Sequence, residues 1–158
     1  MKILATILVL AILLLESAAC TSQPSTPAIT LSSTPTITFE DDRCEYSGPD
    51  SIPADQFTFQ WVVNSQQYEE NLVRTIQMEE GHQVEDLIGV VVKAPAPAWI
   101  SVLRYEKGTQ PGPWTKEVSW DLTQSGRLEP TPVYFLCTHV INGEEIIYGV
   151  AGPVDINE

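Results

Sequence analysis

Cations are scarce in this chain. Eight Lys and Arg residues stand against twenty-one Asp and Glu, a formal charge of −13. That balance excludes the basic footprint nucleic acid requires. It also sets the folded part against anionic lipid headgroups and suits a well-solvated surface. Histidine occurs only twice. No nucleophile elbow is present, and Ser119 and Ser125 have no evident base, so a hydrolytic triad is not expected. The acidic runs Glu40-Asp41-Asp42, Glu69-Glu70, Glu79-Glu80 and Glu144-Glu145 lack calcium-loop spacing. The chain is therefore not expected to be an enzyme, and no cofactor is implied. It has no internal repeat, and no apolar run reaches the roughly twenty residues of a membrane-spanning helix.

What is present begins with Lys2 and an almost unbroken apolar run over residues 3–15, interrupted by Thr6. Ser17-Ala18-Ala19-Cys20 follows. This resembles a bacterial lipoprotein signal, in which small residues fit the signal peptidase and the cysteine becomes the lipid-bearing N-terminus. The resemblance implies a leader over residues 1–19, lipidation of Cys20 and firm attachment through several acyl chains. The other reading is an ordinary secretory signal cleaved after Ala19, since Ser17 stands where the usual lipobox has Leu. The expected location is the cell envelope, anchored and facing the extracytoplasmic side, or secretion under the second reading. Residues 20–35 are rich in Ser, Thr and Pro and read as a semi-extended tether. Residues 36–158 remain, enough for one domain with one core.

With Cys20 assigned to lipid, Cys44 and Cys137 are left as an even pair in an oxidising compartment. A disulfide is the natural reading.

Alternation dominates the rest. Ile37 and Phe39 mark a first strand, and Cys44-Glu45-Tyr46 a short second one after Asp41-Asp42-Arg43. Ser47-Gly48-Pro49-Asp50 and Pro53 read as an interruption. Phe57, Phe59, Trp61 and Val63 carry the clearest period of two. Residues 70–78, 99–105, 114–122 and 133–138 follow as strands. Asn142-Gly143 signals a hairpin turn. Residues 145–148 and 150–156 close the domain, with Gly149 and Gly152 as bulge positions. The period changes once. Val84, Leu87, Ile88 and Val91 recur at helical spacing, predicting a short helix over 82–91. Seven or eight short strands argue for an all-β, Greek-key β-sandwich with that one short helix.

Cys44-Glu45-Tyr46-Ser47-Gly48-Pro49, with Pro53-Ala54 before the 57–64 strand, resembles a group of uncharacterised bacterial lipoproteins with a cupredoxin-like domain. Residues 81–87 resemble that group's short helix. Tyr134-Phe135-Leu136-Cys137 and Gly149-Val150-Ala151-Gly152 resemble its last two strands. The resemblance implies a cupredoxin-like sandwich without the copper ligand set. A blue-copper site needs a thiolate, two imidazoles and a weak axial ligand. Here Cys137 and His139 are one residue apart on a strand, so both face the same side and local copper contact stays open as an alternative. No Met follows Cys137, and His82 falls on the predicted helix.

Two further readings concern aromatics and His82. Trp99 and Trp114 flank Pro- and Gly-rich loops, where exposed rings can bind sugars or peptides, or they can cap the ends of the core. His82 near Glu79, Glu80, Glu85 and Asp86 reads as a solvated helix start. The functional expectation is a non-catalytic binding or interaction module. It meets the membrane through its N-terminal lipid, takes an envelope protein or small ligand as partner, and does not bind nucleic acid. The alternative is a copper-binding or electron-transfer protein.

Overall fold

The computed structural model describes residues 34–66, 68, 70–92 and 96–157. Residues 1–33, which hold the expected leader, Cys20 and most of the expected tether, lie outside the described residues. Two sheets face each other. The first runs in the order β2 (Arg43–Ser47), β1 (Thr36–Glu40), β4 (Phe57–Val63), β8 (Trp114–Trp120). The second runs β3 (Ser51–Pro53), β10 (Glu144–Asn157), β9 (Val133–Ile141), β5 (Asn71–Met78), β7 (Ile100–Gly108), with β6 (Val91–Val92) joined to β10. Most pairs are antiparallel, but β1 lies parallel to β4 and β3 parallel to β10.

Alternation decides which residues are inside. In β4, Phe57, Phe59, Trp61 and Val63 are buried, while Thr58, Gln60 and Val62 point toward the other face. In β9, Val133, Phe135, Cys137 and His139 face the same interior. The rings interlock across the two layers: Phe57 lies 5.7 Å from Phe135, and Trp120 meets Phe59 edge-on at 4.8 Å. Such pairs add to the area term that drives burial.

Cys44 and Cys137 are bonded, joining an edge strand of the first sheet to a central strand of the second. The approach depends on Gly149, which pairs with Cys137 and carries no side chain. A Cβ there would press on the Cys44 backbone nitrogen and sit 2.7 Å from the Cys44 Cβ. Gly149→Ala is accordingly expected to lose about 1–3 kcal/mol by overpacking, read as a lower urea midpoint at unchanged slope. The two glycines read as bulge positions do mark register shifts, between Ile147 and Gly149 and between Ala151 and Val154. At the β9–β10 turn, Asn142 and Gly143 both have positive φ, 53° and 80°, as a type I′ hairpin requires.

The helix expected over 82–91 does not form. One 3-10 turn, Val84–Asp86, is closed by a capping box between Gln83 and Asp86. Gly89 then takes φ 76°, and Val91–Val92 pairs with Glu145 and Ile146 as a strand. β-branched valines favour that outcome. Leu87 is buried against Ile76, Ile100, Leu136 and Ile147 on the outer face of the second sheet. Ile88, placed by helical spacing on the same face, is 51% exposed. The stretch read as an interruption contains β3, whose partner β10 lies about a hundred residues later.

Candidate functional site

The registers sort the loops into two ends. Phe39 and His139 stack at 4.2 Å, which places the end of β1 beside the end of β9. That end carries the Asp41–Asp42 turn, the segment from β4 to β5, the segment from β7 to β8, and the Asn142–Gly143 turn. Thr34 and Pro35, which precede β1, lie at the opposite end, as does the close of β10.

His139 is the centre of the first end. It takes the inward register of β9 and is fully buried. Phe39 stacks on it, the Tyr68 ring lies 3.5 Å away, and Tyr148 stands at 5.0 Å. Neither ring nitrogen makes a hydrogen bond of good geometry, and the imidazole's one hydrogen-bonding neighbour is the Asp41 backbone. Burial holds its pKa down to about 4, and the nearby Asp41 backbone opposes this only in part. At neutral pH the imidazole is therefore uncharged and offers one donor and one acceptor nitrogen.

Its neighbours share the deficit. Asn71 pairs with His139 across the β5–β9 ladder. Its amide nitrogen donates to the carbonyls of Tyr68 (3.5 Å) and Gln110 (3.3 Å), tying two loops together. Its Oδ1 is buried without a donor, as is the hydroxyl of Ser65 in the adjoining loop. Buried polar atoms without partners are uncommon in folded proteins and call for an explanation. Tyr68 has its pKa raised by burial first, then by its hydrogen bond to Tyr148 and by the charges of Asp42 and Asp41. Both carboxylates thus bear on the tyrosine that covers His139.

The other residues singled out from the sequence are spread through the molecule. Cys137 is bonded to Cys44, so its sulfur is not a thiolate ligand, and of the pair Cys137 and His139 only the imidazole remains. His82 follows the far end of β5, where its ring stacks on Trp99 at 4.2 Å and lies 3.6 Å from Asp86. The two imidazoles are separated by the length of β5, eight residues or about 25 Å. A copper centre requiring a thiolate and two imidazoles does not fit these residues. Among the described residues, no three His, Cys, Asp or Glu side chains converge as a metal-holding group.

Trp99 and Trp114 are not brought together either. Trp99 precedes β7, and Trp114 follows its far end. Trp114 lies over Gly108, meets Trp61 edge-on at 4.7 Å, and donates its indole N–H to the Gln110 carbonyl at 2.9 Å. It borders a shallow groove of about 350 Å³ between Lys107 and Lys116. A larger cleft of about 600 Å³ opens at the opposite end, between the 128–132 loop and the close of β10. Buried Gln77 pins that loop with three hydrogen bonds to the backbone of Glu129 and Thr131.

Tyr68, Tyr148 and Asn71 were not legible as site residues. His139 carried a signal, a polar ring on the inward register of an otherwise apolar strand. Tyr68 sits outside any strand, so no period marks it. No protein-family model matches the chain, and no curated protein or solved structure matches it.

Proposed function

We propose that this protein is a lipid-anchored, extracytoplasmic binding module of cupredoxin-like Greek-key topology, which recognises its partner with the loop end around His139. The carrying observation is the polarity of the domain. The tether side enters at Thr34–Pro35, and the buried histidine lies at the other end. An anchor through Cys20 would present that far end to the surroundings. The strand order supports the topology, because the chain passes between sheets at β2–β3, β3–β4, β4–β5, β7–β8 and β8–β9. Among the described residues no helix is long and apolar enough to cross a membrane. A binding role is favoured over acid–base chemistry because His139 is fully buried and packed among rings.

Two measurements in the native envelope test this. Cys20→Ala should move the protein out of the membrane fraction; retention there would remove the anchor. A photo-crosslinking residue at Asn142 should give adducts with an envelope component, while one at Asp155 should not. Adducts confined to Asp155 would place recognition at the wrong end.

A further inference from the structure

Two of the atoms left without partners around His139 are hydrogen-bond acceptors. Asn71 Oδ1 is an acceptor, and the neutral imidazole has an acceptor nitrogen. The surrounding surfaces are the faces of Tyr68 and Tyr148. The carboxylates of Asp41 and Asp42 both act on Tyr68, while Lys107 at the same end is neutralised by Glu70 at 2.9 Å. Acceptors, aromatic faces and negative charge all favour a cation that donates hydrogen bonds. An anion is repelled by the carboxylates. A bare metal ion needs several converging donors, and no three of them converge among the described residues.

We propose that this end binds an alkylammonium group, held against Tyr68 and Tyr148 by Asp41 and Asp42 and hydrogen-bonded to His139 and Asn71. An ammonium has three N–H donors, enough to satisfy the imidazole, the Asn71 carbonyl and one carboxylate. Tyr68 lies directly over His139, so entry requires that ring to turn aside. Its partial exposure and its position outside the strands leave room for this. The inference rests on the binding-module reading above and supplies its ligand class. The chemistry could come from a free amine or from a lysine side chain.

The test uses the full chain in detergent micelles, titrated with n-butylammonium chloride and followed through the ring protons of the two histidines. His82, at the other end of β5, is an internal control. Saturable movement of the His139 signals with His82 unmoved is expected, and 1-butanol should move neither. Asp41→Asn together with Asp42→Asn should weaken binding at least tenfold, since each lost carboxylate contact costs on the order of 1 kcal/mol. His139→Phe should also weaken it while leaving the circular dichroism spectrum unchanged. A lysine blocked at both backbone ends distinguishes the sources: tighter binding than butylammonium assigns a polypeptide, weaker binding a free amine. Unmoved His139 signals at tens of millimolar amine (about 2 kcal/mol of binding), or equal affinity in the Asn variants, would overturn the proposal. Crosslinks at Asn142 without amine binding would sink the ligand class and spare the module; amine binding without crosslinks would do the reverse.

Discussion

Replacing both Cys44 and Cys137 with Ala lowers the unfolding free energy by about 4–5 kcal/mol in the expected result. The bond spans 93 residues, and closing a loop of that length removes about that much entropy from the unfolded chain. A domain of this size has a total stability of roughly 5–15 kcal/mol, so the loss leaves it marginal. The location adds to the argument. β2 is an edge strand held by one ladder, to β1, and the sulfur bridge is what ties it to central β9. Gly149 lets the two backbones come close enough for that bond. Urea unfolding of the wild type in oxidising buffer, the wild type with reductant, and the double variant provides the check. The last two curves should coincide, well below the first. A wild type whose midpoint is insensitive to reductant would show that the bridge adds nothing to folding. Thiol counting on the unfolded, non-reduced protein should find neither Cys44 nor Cys137 free.

The parts of this fold that could be read in advance are those governed by local period. Phe57, Phe59, Trp61 and Val63 alternate because one face of β4 meets the core, and side-chain alternation is intrinsic to a strand. Asn142-Gly143 was legible because few residues tolerate two successive positive φ angles. The failures have a common origin in distant partners. Val84, Leu87, Ile88 and Val91 match helical spacing, yet Leu87 fills a hollow between Ile76, Leu136 and Ile147, while the valines after Gly89 join β10. The competing partner lies some fifty-five residues away, beyond the reach of any window. β3 was missed for the same reason, since its parallel mate is the last strand. The site was half legible. His139 declared itself by its register, but its cage is assembled from β1, a loop and β10, and nothing local to residue 139 encodes that company.

The second large effect concerns pH. His139 is neutral and caged in the folded protein, with a pKa held at about 4 by burial, against about 6.5 in an unfolded chain. Above pH 6.5 neither state carries the proton, so the full stability is present. Between pH 6.5 and 4 the unfolded state takes up a proton that the folded state refuses, and stability falls as the pH falls. Below 4 both states are protonated and this contribution levels off. The loss totals on the order of 3 kcal/mol, at 1.36 kcal/mol per pH unit. The groups packed around the ring shape this response. Asp41 and Asp42 come from the β1–β2 turn, Tyr68 from the segment before β5, and Tyr148 from β10. The contribution of the two aspartates must be separated from that of the histidine. His139→Phe does so, because it keeps a flat ring against Phe39 and removes the titrating nitrogens. Replacing an unsatisfied polar group by an apolar one of like shape is nearly neutral or stabilising, so at pH 7.5 the variant should match or exceed the wild type. The difference between the two proteins in urea unfolding should then grow steadily from pH 6.5 to 4. Parallel stability curves over that interval would mean that His139 takes up its proton in the folded state, with a partner that the cage of Phe39, Tyr68 and Tyr148 does not supply.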